Sequence, residues 1–517
     1  MNDNKAPQER KLTDEELLAS LGYKQEFKRA FAPLEVFGIA FSIIGLLPSI
    51  ASVLFYALPN GGGPSMVWGW LVASIFDLSI GLAMGELASA APTSGGLYFW
   101  TYNLSSPRWR RLLCWIVGYA NTIGSVASVS SINWGCALQV MTAITIGSGG
   151  TFEPTSAQTL HVIVFIRRAI VMIHIFICCL GTGVLARLQG VYVVLNLLLC
   201  LAVVIALPLV TPTRYRNTTN LALWDFVNYN QWPDGFAFLI SFNAPLWTIG
   251  GYDACVHISE EASNAATAVP WAITLAIAIA GIVGWLINMS LAFCMGTDLQ
   301  ALYDSDQPMA QIFFQSFGRR ATLLIWAFIV VVQFMMGSSM LLAASRQTFA
   351  FSRDSALPFS SWLYHMNNYT KTPVNTVIFD GMLSIALGCL VFAGEQAINA
   401  AFAISVVGSY IAYAIPISAR FLGKNDFKPG AFTLGAFSCP IAIIAVTFMF
   451  FMSIVMFFPT APTTDKANMN YTVVVLGGSM ILSIIWFYFP KYGGVNWFTG
   501  PVATIDASAE AARANEC

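Results

Sequence analysis

Two stretches of this 517-residue chain release backbone polar groups inside otherwise apolar runs. In the first, Phe41 to Ser52 reads FSIIGLLPSIAS. Pro48 has no amide hydrogen, its ring collides with the carbonyl four residues back at Ile44, and Gly45 lets the backbone open. In the second, Pro245 to Glu261 reads PLWTIGGYDACVHISEE, with Asn243 just before it. Gly250 and Gly251 open the helix there. Freed N–H groups at the start of a half-helix suit an anion such as a carboxylate, and freed carbonyls suit an ammonium. The chemistry these residue types offer is reversible recognition of a small ion.

Several side chains around the two breaks have matching chemistry. Trp247 stands one turn before the glycines. It is placed either to cover an apolar pocket with a cation–π face or simply to pack the core. Asp253 follows the glycines and is a candidate partner for an amine or a proton, or else a cap on the second half-helix. Asp77 lies mid-way through another apolar run, where an acid is protonated, paired or wet. It is a candidate proton carrier, or a neutral acid facing a hydroxyl. Glu260 and Glu261 have no Lys or Arg nearby in sequence. Arg346, Arg353 and Arg187 are their candidate partners in a gate, the alternative being a solvated helix end. Gln333 and Asn121 are further polar residues inside apolar runs.

The elements that must position these residues are membrane spans. The chain is 57 % hydrophobic and only 10 % charged, with a mean hydropathy of +0.67. A soluble chain carries roughly twice that charge. Twelve runs are long enough to cross a bilayer, near residues 34–58, 66–91, 112–146, 161–181, 189–210, 236–256, 270–295, 320–348, 373–393, 396–419, 435–459 and 472–490. In the fourth, Arg167 and Arg168 intrude, so its apolar part is expected to begin at Ala169 with the arginines at the interface. With both ends in the cytosol, the 25 Lys and Arg divide 18 inside to 7 outside, as the positive-inside rule favours.

The breaks fall in spans one and six. Five spans to a half then give an inverted pair, about 34–210 and about 236–420, with extra helices at about 435–490. Two interrupted spans at corresponding places point to the site of a secondary transporter. Tails at 1–33 and 491–517 are expected in the cytosol, with a short helix near Asp14 to Ala19 and a mobile stretch at 502–517. A net charge of −1 implies no nucleic-acid partner. No cofactor or metal is expected: there is no HExxH, no CxxC, no serine nucleophile elbow, and only four histidines.

The ELASAAPTSGG turn (from Glu86), the GYDACVHISEE segment (from Gly251) and the SRQTFAFSRDSALP loop (from Ser345) resemble the amino acid–polyamine–organocation superfamily. LLASLGYKQEFKR (Leu17 to Arg29), VFGIAFSIIGLLPSIAS (Val36 to Ser52), WTIGGYDACVHISEEA (Trp247 to Ala262) and MNY (Met469 to Tyr471) are similar to its fungal amino acid/choline branch, GABA permeases in particular. The resemblance covers about residues 17 to 490.

It implies an all-α LeuT-like fold of five-plus-five inverted spans plus two C-terminal helices, with substrate between spans one, three, six, eight and ten. Ile44, Gly45 and Leu46 then fall where the family's backbone grips a carboxylate, Trp247 at a gating aromatic and Gly250 at the sixth-span break. Ser338 and Ser339 fall beside a cation site between spans one and eight. Two departures stand out. The GSG signature is absent, which fits a longer ligand such as a γ-amino acid, and Asp77 stands where the family has an apolar residue.

The implied fungal setting favours import of GABA or a related amino acid by proton symport, in the plasma membrane or the vacuolar one. The partners are a small zwitterion or cation, a proton and the lipid bilayer. The rival readings are a choline or polyamine permease, which would depend on an aromatic cage, and a non-transporting nutrient sensor on the same fold.

Overall fold

Apolar runs become helices because a bilayer leaves backbone polar groups no partner but each other. The computed structural model describes residues 13–149, 156–393, 395–459, 461–463 and 469–505. The tail positions 1–12 and 506–517 lie outside the described residues. After a short α1 (Asp14–Ser20) come α2 (Pro33–Ile44), α3 (Leu46–Ala57), α4 (Trp70–Ala90), α5 (Gly96–Leu104), α6 (Arg110–Ser148), α7 (Ser156–Cys178) and α8 (Thr182–Val210). The second half continues with α9 (Asp234–Ser241), α10 (Asn243–Thr248), α11 (Ala254–His257), α12 (Ala265–Cys294), α13 (Pro308–Arg353), α14 (Val374–Gly388) and α15 (Glu395–Leu422). α16 (Ser438–Val455) and α17 (Gly478–Tyr488) close the chain.

Among the described residues, ten helical segments are long and apolar enough to span a membrane, α2 with α3 counting as one. The final helix, Val473–Tyr488 with its first turn, is apolar but shorter. The segment built of α9, α10 and α11 is too interrupted to count. α12 packs along α4 and α2, α15 and α13 both pack along α6, and α10 lies on α3. Bulky apolar side chains point outward along α7 and α8, including Phe165, Phe176, Leu198 and Leu209. That outward apolar surface is what lipid, not water, would cover.

One expectation about the spans needs correction. Arg167 is not at an interface. It lies within α7, 1 % exposed, and donates to the Ser384 carbonyl and to Ser130 Oγ. Gly388 leaves the space for its guanidinium. A buried arginine is tolerated because these acceptors replace water. The helix that carries the eighth span is preceded by a helical stretch from Pro308, set off from it by non-helical backbone at Gly318.

A two-stranded pair, β1 (Asn60–Gly61) with β2 (Val227–Asn228), closes one end of the bundle. The described ends of the chain meet at the other. Lys24 N–H donates to Thr504 Oγ1 at 2.8 Å, and Thr504 N–H to the Gly22 carbonyl at 2.8 Å. Residues 502–505 are therefore docked, contrary to the expectation of a mobile tail. The helix expected near Asp14 is α1, held by a capping box between Thr13 and Glu16.

Candidate functional site

The first break is built as its residues dictate. Gly45 sits between α2 and α3 with φ 44° and ψ 58°, the left-handed region that glycine enters freely. A Cβ there would meet Met336 Sδ at 2.9 Å. Ser49 Oγ donates to the freed Ile44 carbonyl at 2.7 Å. Ser52 Oγ and Gln139 Nε2 both donate to the Pro48 carbonyl. The Leu46 and Leu47 N–H groups have no backbone acceptor among the described residues. The Cys200 thiol lies at the Leu47 amide.

The second break falls between α10 and α11. Gly250 and Gly251 are outside any helix. Gly251 rather than Gly250 carries the left-handed φ, 80°, and its missing Cβ would lie 2.6 Å from Ile43 Cγ2. The two breaks are therefore in direct contact. The Gly251 and Tyr252 N–H groups likewise have no backbone acceptor among the described residues.

Beside this contact lies a small cavity of about 30 Å³. Ile43, Trp247, Gly250 and Gly251 line it from the broken segments, and Asp77 from α4. Ser128, Met336 and Tyr410 add walls from α6, α13 and α15. Trp247 donates from Nε1 to Ser131 Oγ at 3.2 Å and packs on Phe402 with ring centroids 4.9 Å apart. Tyr410 donates its hydroxyl to Asp77 Oδ1 at 3.2 Å. Asp77 Oδ2 is buried with no partner.

Asp253 does not line the cavity. It sits 3.4 Å from His257 Nε2. His257 donates from Nδ1 to the Ser94 carbonyl at 3.0 Å, because a carbonyl can only accept. That leaves Nε2 to accept from Asn121 Nδ2, also at 3.0 Å.

Beyond this network the bundle is closed by two buried ion pairs. Arg346 Nε meets Glu261 Oε1 at 2.8 Å, and Arg353 bridges both oxygens of Glu260 at 3.3 Å. Gln25 donates to the Glu260 carbonyl, and the Ala30 and Phe31 N–H groups to that of Glu261. Tyr23 lays its ring 4.0 Å from the Arg353 guanidinium.

Residues 31–479 match the family model described as amino acid permease. The chain belongs to the amino acid permease family. The chain is 39 % identical over 493 residues to the GABA-specific permease of Saccharomyces cerevisiae, covering 93 % of this chain and 85 % of the relative. It is 34 % identical over 500 residues to an uncharacterised amino-acid permease of Schizosaccharomyces pombe, covering 96 % and 90 %. An amino-acid permease of Arabidopsis thaliana is 32 % identical over 506 residues, covering 94 % and 96 %. This permease is thus an integral membrane transporter of amino acids and not an enzyme.

The fold brings together Trp247, Gly250 and Asp77 around one cavity. Ile44, Gly45 and Leu46 stand behind its wall, which Ile43 forms. Glu260 and Glu261 find Arg353 and Arg346, two of their three candidate partners, in buried ion pairs. Ser338 donates to the Met335 carbonyl in its own helix, whereas Ser339 joins Ser42 and Gln189 in a polar knot between α13, α2 and α8. Sequence reasoning missed Tyr252, Tyr410 and Tyr413 in the cavity, and His257 beside Asp253. The signal for the tyrosines was available: each lies within a few residues of a break or a small-residue run.

Proposed function

We propose that this permease imports GABA or a related amino acid by proton symport, through alternating access. Twelve spans in a five-plus-five inverted repeat, with two more at the C-terminus, are the architecture this reading requires. The ten long helices, the interrupted sixth segment and the short final helix add up to that number. The charge tally supports a cytosolic position for both ends and for the ion-paired gate. The plasma membrane is the membrane this reading favours.

One observation carries the proposal: two interrupted segments touch beside a small cavity, and two buried ion pairs join α13 to the acids that follow the second break. In this reading the substrate carboxylate meets N–H groups released at the breaks, with Leu46 supplying the first of them in the Ile44, Gly45, Leu46 stretch, where the Gly45 N–H already donates to the Phe41 carbonyl. Trp247 covers the bound solute, and Glu260, Glu261 and Arg346 form the inner gate. Ser338 is a coupling candidate in this reading, next to Ser339, which contacts Ser42 of α2. The similarity to a GABA-specific permease supports the substrate, as does the missing GSG signature.

A cationic amine such as choline or a polyamine is the second reading. The carboxylate of Asp77 among Trp247, Tyr252 and Tyr410 favours it. Radiolabelled uptake of GABA, choline, putrescine and proline in a permease-deleted yeast separates the two. GABA uptake that collapses with a protonophore is the expected result. Uptake indifferent to the protonophore removes proton symport, and choline or putrescine uptake without GABA uptake installs the second reading.

A further inference from the structure

The cavity has one ionisable acid to offer. Among its lining residues there is no Lys, Arg or His, and Asp77 is the one carboxylate. It is 1 % exposed, with Oδ1 held by Tyr410 and Oδ2 bonded to nothing. An ionised carboxylate left so is costly unless a cation arrives.

Two further polar atoms stand at this end. The Tyr252 hydroxyl is buried with no partner among the described residues, the Tyr413 hydroxyl stands beside Asp253 and Ser409 with its oxygen still able to accept, and the two rings lie 5.7 Å apart along the same cavity wall. A primary ammonium has three N–H donors and no acceptor. Asp77 Oδ2 and the two tyrosine oxygens are three acceptors, one of them charged. Tyrosine faces add attraction for the same charge.

We propose that Asp77 is the specificity-determining counter-ion for the ammonium group of the transported amino acid, with Tyr252 and Tyr413 completing its acceptors. The assignment rests on the transport reading above and adds which end of the substrate goes where. The ammonium turns to α4, and the carboxylate to the broken segments. A carboxylate engaged by an ammonium cannot also hold the symported proton, so that proton sits elsewhere. The buried Asp253–His257 pair, between the second break and the paired acids Glu260 and Glu261 in sequence, is the group to which this reading assigns it.

The test is equilibrium binding to the purified full-length permease at one pH with no gradient, using radiolabelled GABA, proline, putrescine and choline, with butyrate as the amine-free probe. Wild type is expected to bind an amine and to ignore butyrate. Asp77→Asn keeps the shape and the Tyr410 contact but loses the charge. It is expected to weaken binding of whichever amine the wild type takes by about 10- to 150-fold, the range for a hydrogen bond to a charged group. Asp77→Asn that binds as wild type yet no longer accumulates substrate in cells overturns the proposal and makes Asp77 a proton carrier.

Should Asp77→Asn not purify as a monodisperse species, Asp77→Glu carries the test. One more methylene on the side chain is expected to shift preference from GABA toward β-alanine, and an unchanged ranking overturns the proposal. If wild type binds putrescine or choline but not GABA, the transport reading changes while Asp77 is still judged by its effect on that amine.

Discussion

Arg346 and Glu261 meet at 2.8 Å with neither side chain exposed to solvent. Arg346 Nη2 and Glu261 Oε2 have no further partner among the described residues. A buried pair of this kind is costly to break from one side, because the remaining charge has nowhere to go. Opening the permease at this end means separating the pair and wetting both members at once.

Arg346→Met is therefore expected to destabilise the purified protein by about 3–5 kcal/mol. Adding Glu261→Gln should recover much of that loss, since no lone charge remains. Thermal unfolding followed by fluorescence-detected size exclusion checks the order. A double variant less stable than the single one would contradict the pairing.

Gly251→Ala is expected to abolish uptake. The left-handed φ costs alanine about 1–2 kcal/mol, and its methyl would overlap Ile43 on the other broken segment. Gly45→Ala pays the same backbone cost, but its methyl meets only the flexible end of Met336. Residual uptake by Gly45→Ala above that of Gly251→Ala, at matched surface expression, is the outcome expected.

Trp247→Ala removes the ring that packs on Phe402 and should eliminate uptake while leaving surface expression intact. Trp247→Phe keeps a ring and loses only the donor to Ser131 Oγ. That variant is expected to retain a measurable rate. Equal uptake by Trp247→Ala and wild type would remove Trp247 from the site.

Asp354 lies just past α13, where Tyr98 Oη and Val502 N–H both donate to it. Burial pushes its carboxyl up to about 6, against the opposing pull of Arg353. The folded state thus binds this proton more tightly than the unfolded chain does. Its contribution to stability is full below about pH 4 and is lost as pH rises through about 6, by at most about 3 kcal/mol. Wild type should lose stability relative to Asp354→Asn across that window, and parallel curves for the two would refute the assignment.

The breaks were legible because proline and paired glycines carry their meaning in the residue type itself. So were the ion pairs, where two adjacent acids without local partners had to find distant arginines. Asp77 could be flagged by depth alone, but its facing toward the cavity depends on how α4 is rotated by its packing on α12. The burial of Arg167 was not legible for a related reason. Its acceptors come from α6 and α14, far away in the chain. Which residue of a break lines the cavity also escaped the sequence: Ile43 faces it while Ile44 turns its carbonyl to Ser49.

The interlock of Lys24 and Gly22 with Thr504 ties the chain's head to its foot directly beneath the gate. Val502 reaches onto Asp354 in the same knot. A fluorescent protein or affinity handle fused at either extremity pulls on that knot. Kinetics recorded from a tagged carrier therefore describe the tether together with the carrier, and cleaving the fusion before measurement separates the two.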